Sequence, residues 1–285
     1  MAQAFNTIRY ETTETGIARI TLAMPEKRNA QTMEMLSELN TAMDQAAHDG
    51  DVKVIVLAGD DPDFSSGHTG GGNLDFSNYD PVGTWSDFGE PGQEGHWGVE
   101  QEFFFGFCWR WRNIPKPTMV EIQGWVIAGG LMLVWPFDIV IASEDTKITD
   151  PVVALGVNGV EYFAHPWEFG VRKAKELLFT GDVIMAQEAR ELGMVNHVVP
   201  KQELTDFTME MAERIARRPM MGLKLAKQSV NQAQDAMGYY SALQSAMTLQ
   251  QLGHSHWKNI NEGVPVYPEG GKLMQETFKK YKKKK

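Results

Sequence analysis

Two adjacent glycines, Gly129 and Gly130, stand where an apolar helix begins, in the stretch AGGLMLVWPFD. A residue without a side chain lets another group approach the main chain closely. The first N–H groups of a helix lack intrahelical partners and lie at the positive dipole end, so this turn could stabilise a negatively charged oxygen. Its first turns contain no acid, base or nucleophile, so proton transfer must come from elsewhere. The alternative is that the glycines only permit close helix packing.

Three other residues offer acid–base chemistry. His96 and His165 could act as acid or base, although histidines in loops are more often bystanders. Asp150 could be a second carboxylate, but an aspartate before a proline is also typical of a turn. The seven histidines and one cysteine show no metal-binding spacing, so we expect no metal site.

The bulk composition excludes several classes of protein. A chain of 285 residues, 42% of them hydrophobic, can bury a sizeable core. Its single cysteine excludes an internal disulfide framework, and the N-terminus has no signal-peptide pattern, which together predict a cytoplasmic protein. Every apolar run ends well before about 18 residues, so we expect no membrane span and no membrane partner.

The net charge is −10. Such an acidic body repels phosphates, so we expect no nucleic-acid partner. A lysine-rich tail at residues 279–285 is predicted to be disordered and solvated, with contact to RNA or an anionic membrane as the alternative.

The hydrophobic periodicity predicts which elements position these residues. Strands alternate with helices up to about residue 205, which indicates an α/β fold with largely parallel sheets. The predicted elements are a hairpin at 8–22, a helix at 32–47, a strand at 52–58, a helix at 101–111, and strands at 118–122 and 138–142 around a short helix from Gly130. Amphipathic helices follow at 204–216, 221–235 and 239–252. The long segment 70–98, rich in Gly, Asp and Pro, is predicted to be a substrate-covering loop.

Five short motifs follow one another along the chain: PEKRNA at 25–30, FSSGH at 64–68, GWVIAGG at 124–130, LLFTG at 177–181, and LGMVN at 192–196 within the segment 186–200. Together, over about residues 5–210, they resemble the crotonase superfamily of enoyl-CoA hydratases and isomerases. The resemblance implies a spiral of ββα turns at 1–205 that holds an acyl-CoA site. It also implies a C-terminal helical region at 206–285 for oligomerisation or as a lid, and assembly as a homotrimer or a dimer of trimers.

The resemblance also implies which groups bind the substrate. The thioester oxygen would lie in an oxyanion hole formed by the backbone N–H groups of His68 and Gly129, with the His68 side chain expected to point away. Fixed N–H donors of this kind contribute a few kcal/mol of transition-state stabilisation. The other implied substrate-binding residues are Lys27, Arg28, Ser66, Gly67 and Gly130. Coenzyme A enters as part of the substrate, and no separate cofactor is expected.

The resemblance breaks at the two glutamates with which hydratases hold a water molecule. The motif positions place Met132 where the first would lie and Val152 where the second would lie. Neither side chain transfers a proton. We therefore do not expect efficient hydration of a 2-enoyl-CoA.

Glu161 is the best single candidate for the missing acid or base. It lies near the position where some related isomerases have one glutamate and some CoA dehalogenases an aspartate. A carboxylate beside an apolar wall has a raised pKa, which suits proton transfer at neutral pH. The alternatives are an exposed loop carboxylate or a structural partner of His165 or Arg172.

The sequence thus predicts an acyl-CoA enzyme of the hydratase/isomerase type that uses one carboxylate, most simply for isomerisation. Hydrolysis of a carbon–carbon bond or a thioester by the same fold is one alternative. A catalytically silent acyl-CoA-binding homologue is the other.

Overall fold

The computed structural model describes residues 5–69 and 88–281. The strands are β1 (Ile8–Thr12), β2 (Ile17–Leu22), β3 (Val54–Gly59), β4 (Thr118–Ile122), β5 (Trp125–Ile127), β6 (Ile139–Ser143), β7 (Lys147–Thr149), β8 (Ile184–Met185) and β9 (His197–Val199). The α-helices are α1 (Met33–His48), α2 (Gln93–Val99), α3 (Phe107–Arg112), α4 (Gly129–Met132), α5 (His165–Thr180), α6 (Ala186–Leu192), α7 (Leu204–Ala216), α8 (Met220–Ala236), α9 (Tyr239–Ile260) and α10 (Gly270–Lys279).

The larger sheet has six strands in the order β1-β2-β3-β4-β6-β9. The opening hairpin β1–β2 is antiparallel, and every later pairing in this sheet is parallel. Strand β3 reads VIVLAG and is buried up to its last residue, as expected for a strand covered on both faces. Helix α1 contributes to the core on one face, and α7 packs on the other. The predicted α/β class is confirmed.

The smaller sheet, in the order β5-β7-β8, holds the segment that follows β3. Ser65 donates its N–H to the Trp125 carbonyl at 3.1 Å, and its own carbonyl accepts the Ile127 N–H at 3.0 Å. The chain after β3 therefore runs beside β5 like an additional strand. Because of this pairing, the turn at 66–68 lies next to the turn that begins α4.

The predicted helices exist, with one difference in type. Segment 101–111 is not a uniform α-helix: it is a π-helical segment, Glu100–Gly106, followed by α3. Helix α9 also continues past the predicted end at 252, to Ile260. Within the segment 70–98, residues 70–87 lie outside the described residues, and α2 begins at Gln93. Among the described helices, none has both the length and the apolarity that crossing a membrane requires.

The expectation that the lysine-rich tail is disordered from its first residue is wrong. Lys279 ends helix α10, which the periodicity did not predict. Lys280 forms an ion pair with Asp182 at 3.1 Å, and the Tyr281 hydroxyl accepts the Val183 N–H at 3.2 Å. These contacts anchor the chain as far as residue 281, and the rest of the tail lies outside the described residues.

The turn at 66–68 is the first glycine turn, and the turn that begins α4 is the second. Asn29 joins three segments next to the first glycine turn. Its side-chain oxygen accepts the Met24 N–H, and its amide donates to the carbonyls of Asp60 and Asp63, each at 2.9 Å. Its own carbonyl accepts the Ser65 hydroxyl at 2.8 Å. The residue is fully buried with φ 48°, a conformation that asparagine tolerates better than most residues. Asn29 of the PEKRNA motif therefore has a structural role: its hydrogen bonds hold these segments together.

We expect Asn29→Ala to lower the free energy of unfolding by about 3 kcal/mol, because it removes the partner of one buried carbonyl and of a part-buried N–H and a part-buried carbonyl. Denaturant unfolding measures this change. Asn6→Ala is the control: Asn6 is exposed and, within the described part of the chain, its side chain bonds only to Glu34, so the loss should stay below about 1 kcal/mol. Equal losses of unfolding free energy in the two variants would show that the Asn29 side chain does not hold these segments together.

Candidate active site

The two glycine turns are in direct contact. Gly67 has φ 87°, and a Cβ atom at this position would lie 2.7 Å from the Ile127 carbonyl oxygen and 3.2 Å from the Gly129 nitrogen. Both the left-handed backbone and the lack of space therefore require glycine here. Gly130 packs similarly on the first turn, because a Cβ on it would lie 2.9 Å from the Ser65 carbonyl oxygen.

The N–H groups at this contact are available. Ala128, with φ 47°, turns the chain into the four-residue helix α4, whose first residue is Gly129. Within 5–69 and 88–281, no residue accepts a hydrogen bond from the N–H of His68 or of Gly129. Two uncommitted donors thus lie on neighbouring turns, a common arrangement for anion stabilisation.

The His68 side chain does not point away from the second turn, contrary to the expectation. A Cβ on Gly129 would lie 2.5 Å from the imidazole, and the ring stacks on Phe104 with centroids 3.9 Å apart. Burial lowers the pKa of His68 to about 4, so the ring is neutral at pH 7. Its Nε2 atom is enclosed and has no partner among the described residues.

The implied coenzyme A residues lie on the surface beside the first turn. Lys27 and Arg28 are both exposed. The Arg28 guanidinium is 3.5 Å from Asp63, and the Arg28 carbonyl accepts the Ser66 N–H at 3.0 Å. Arg28 is therefore attached to the turn that carries the His68 N–H, and Lys27 precedes it in the chain.

Glu161 is buried, with 7% of its surface exposed. Both alternative roles predicted for Glu161 are wrong. The carboxylate is not exposed, and it has no hydrogen bond or ion pair with His165 or Arg172. Its Oε1 atom is 3.5 Å from the Gln250 amide nitrogen, and Oε2 is enclosed without a partner among the described residues. Burial, together with the negative charge of Glu100, raises the pKa of Glu161 to about 8.

Cys108 links Glu161 to the helix that follows the glycine pair. Burial raises the pKa of the Cys108 thiol, and the charge of Glu161 raises it further. This thiol donates to the Met132 carbonyl at 3.2 Å.

Asp150 and His165 form a fully buried pair. Asp150 Oδ2 lies 2.7 Å from His165 Nε2 and accepts the Val160 N–H at 3.1 Å, while Oδ1 accepts the Val152 N–H at 3.2 Å. The last bond is the turn contact expected before a proline. His165 Nδ1 is enclosed and has no described partner. The ring packs on Trp135 with centroids 4.7 Å apart.

A second polar cluster, formed by His96, Glu100, Gln250 and His254, was not recognised from the sequence. His96 Nε2 lies 2.7 Å from Glu100 Oε1, and His254 Nε2 lies 3.3 Å from the same oxygen. Burial opposes ionisation of Glu100, but the hydrogen bonds from His254 and His96 outweigh it and lower the pKa of Glu100. The only local signal was the spacing of His96 and Glu100, four residues apart in a helical segment.

The fold and the paired glycine turns define the class of protein. The family model for enoyl-CoA hydratase/isomerase matches residues 12–81 and 84–277. The chain therefore belongs to the enoyl-CoA hydratase/isomerase family, within the crotonase superfamily.

Individual proteins similar to this chain agree with this family assignment. EchA13 of Mycobacterium tuberculosis, whose name assigns it to the enoyl-CoA hydratases, is 46% identical over 273 residues, 92% of this chain and 85% of the relative. The 1,2-epoxyphenylacetyl-CoA isomerase of Escherichia coli is 29% identical over 225 residues, 78% of this chain and 80% of the relative. A crystal structure from Mycobacterium smegmatis, of a protein described as an enoyl-CoA hydratase, has a TM-score of 0.82 at 42% identity. It covers 91% of this chain and 99% of its own.

We expect Gly129→Ala to destabilise the protein by about 1 to 3 kcal/mol, because the new methyl group overlaps the His68 ring. His68→Ala removes the ring, so the double variant should lose about 1 kcal/mol less than the sum of the two single variants. Denaturant unfolding of all three variants measures this coupling. Gly222→Ala, where a Cβ meets open space, is the control and should not lose stability. Strict additivity would show that the ring does not lie on Gly129.

Proposed function

We propose that the protein isomerises an enoyl-CoA thioester with Glu161 as its acid and base. The observation that carries this proposal is an enclosed carboxyl group with one oxygen that has no partner among the described residues and with a pKa raised to about 8. A carboxyl group with a pKa near the working pH both accepts and returns a proton efficiently. The Cys108 thiol, whose pKa is raised by burial and by the charge of Glu161, donates to the Met132 carbonyl at the end of α4, and this link supports a position of Glu161 on the side of the glycine turns.

The proposed reaction conserves every atom of the substrate. The Glu161 carboxylate removes a proton from C2 of a 3-enoyl thioester, and the electron pair moves into the conjugated system to give a dienolate. The protonated Glu161 then donates the same proton to C4, which gives the 2-enoyl thioester. The reaction needs no redox group and no added water, which agrees with the apolar Met132 and Val152 at the two hydratase positions.

The N–H groups of His68 and Gly129 would bind the thioester oxygen. Negative charge develops on this oxygen in the dienolate, and fixed donors stabilise it by a few kcal/mol. The neutral His68 ring lies against Gly129 and would form part of the wall around the thioester. Lys27 and Arg28, exposed beside the first turn, would attract the phosphates of coenzyme A.

Hydrolysis of a carbon–carbon bond or a thioester is the second candidate. The observation that favours it is the Asp150–His165 pair, in which a buried carboxylate orients an imidazole whose Nδ1 atom has no described partner. Such a pair activates water or a nucleophile in many hydrolases. We rank it second because the pair is enclosed by apolar rings, and one of the two backbone N–H groups that Asp150 accepts, that of Val152, belongs to an ordinary turn.

We expect Glu161→Gln to lower kcat for isomerisation of a 3-enoyl-CoA by about 10² to 10⁴-fold, because the amide cannot accept the proton. The wild-type kcat/KM should rise with pH and level off above an apparent pKa of about 8, since the base is active only as the carboxylate. Initial rates between pH 6 and pH 9.5 measure both effects.

Glu168→Gln is the matched control for this experiment. Burial also raises the pKa of Glu168 to about 8, but this side chain lines a different cavity, with Arg112 and Tyr239, so its loss should change kcat by less than about twofold. Full isomerase activity in Glu161→Gln would refute the proposal. Activity lost only in His165→Asn would favour hydrolysis, and binding of the CoA ester without turnover of any substrate would favour a silent homologue.

We also propose that α8 and α9 contact further copies of the chain in a trimer or a dimer of trimers. Leu225, Val230, Leu249 and Leu252 are between 55% and 70% exposed on these helices. A patch of exposed apolar side chains is typical of a protein interface, and the proposed assembly would bury these four.

Light scattering should give a mass of three or six chains for the wild type. Leu252→Glu places a charge among these apolar side chains, so it should shift the mass toward one chain at micromolar concentration. Gln187→Glu adds the same charge on the exposed face of α6 and should leave the mass unchanged. A single-chain mass for the wild type would exclude the assembly.

A further inference from the structure

Three side chains with metal-binding atoms meet where α2, the π-helical segment and α9 come together. They are His96, Glu100 and His254, and one ligand atom from each lies within 4.8 Å of the other two. The Glu100 Oε1 atom is central, 2.7 Å from His96 Nε2 and 3.3 Å from His254 Nε2. Two imidazoles and one carboxylate are a common ligand set for zinc and other divalent transition metals.

Further hydrogen bonds fix the orientation of the two more buried side chains, His254 and Glu100. His254 Nδ1 is 2.7 Å from the Pro265 carbonyl oxygen; when it donates there, Nε2 remains available to a cation. The Gln251 amide donates to Glu100 Oε2 at 2.6 Å, and the Gln93 amide donates to Gln251 Oε1 at 2.6 Å. Metal-binding imidazoles and carboxylates are typically oriented by outer contacts of these kinds.

The charge of the cluster calls for a cation. Glu100 is 6% exposed, and its ion pairs within the described chain are with the two histidines. The nearby Lys258 ammonium donates to the Gly92 carbonyl at 2.9 Å and makes no described ion pair with Glu100. A buried carboxylate needs a compensating positive charge, which a protonated histidine or a bound metal ion can supply.

We propose that His96, Glu100 and His254 bind one divalent transition-metal ion of the zinc type. A metal with bonds of about 2.1 Å holds its ligand atoms roughly 3 to 4 Å apart. The His96 and Glu100 atoms, now 2.7 Å apart, must therefore separate, and the widest separation, within 4.8 Å, must shrink, each by about 1 Å or less. Rotation of His96, the most exposed of the three side chains, can provide this movement.

A metal ion at this site would connect the segment that contains α2 with helix α9, close to Glu161, the proposed acid and base. The Gln250 amide nitrogen lies 3.4 Å from His254 Nε2 and 3.5 Å from Glu161 Oε1, so one side chain touches both sites. The carboxylate ligand is the first residue of the π-helical segment, and π-helical turns are frequent at functional sites. The metal proposal rests on this geometry and does not depend on the isomerase reaction.

Calorimetry with Zn²⁺ on the full chain, tag-free, treated with a chelator and without substrate, tests the site. We expect one ion per chain with a Kd in the micromolar range or below, and a Co²⁺ absorption spectrum that shows nitrogen and oxygen ligands. His254→Ala and His96→Ala should each weaken binding at least about 100-fold, and Gln251→Ala should weaken it about 10 to 100-fold. His256→Ala removes an exposed histidine from the same helix and should bind as the wild type does.

Glu100→Gln keeps the size of the side chain and separates loss of the ligand from loss of the fold. We expect it to lose Zn²⁺ binding while keeping the wild-type circular dichroism spectrum. Absence of Zn²⁺ binding tighter than millimolar in the wild type would overturn the proposal, and would leave the histidines as ion-pair partners of Glu100. Equal binding by the wild type, His254→Ala and Glu100→Gln would overturn it too.

Discussion

The contact between the two glycine turns is the constraint on which the site depends. The Ser65 main chain pairs with β5 through hydrogen bonds to Trp125 and Ile127, so the turns are held by the edge of a sheet and not by flexible loops. Gly67 has no room for a methyl group at this contact. Donors fixed in this way need no reorganisation when charge develops on a bound oxygen, which makes them effective in catalysis.

Three acids that could bear on this site are buried, and the protein accommodates each differently. Asp150 accepts two backbone N–H groups and faces His165. Glu100 accepts a hydrogen bond from Gln251 and contacts two histidines, and the histidines lower its pKa despite burial. Glu161 has one long contact with Gln250, and its pKa rises to about 8. The acid with the least compensation is thus the one whose proton is exchangeable near neutral pH.

The C-terminal helices take part in the site as well as in packing. Helix α7 covers one face of the larger sheet, and α9 provides Gln250, Gln251 and His254 to the buried acids. Helix α10 packs on the turn Val152–Leu155 through Gly270, where a Cβ would lie 2.7 Å from the Ala154 carbonyl oxygen. The region beyond residue 205 therefore limits the space around Glu161 and the loop that carries it.

The sequence by itself determined the α/β class, most element positions and the two glycine turns. These features depend on local periodicity and on the steric needs of single residues such as Gly67, and the order of motifs indicated the family. Only the tertiary structure decided which titratable groups meet. Glu100 and His254 carry no shared signal along the chain, because they come from separate helices. The burial that raises the pKa of Glu161, and the placement of the His68 ring on Gly129, likewise result from packing between distant segments, which periodicity does not encode.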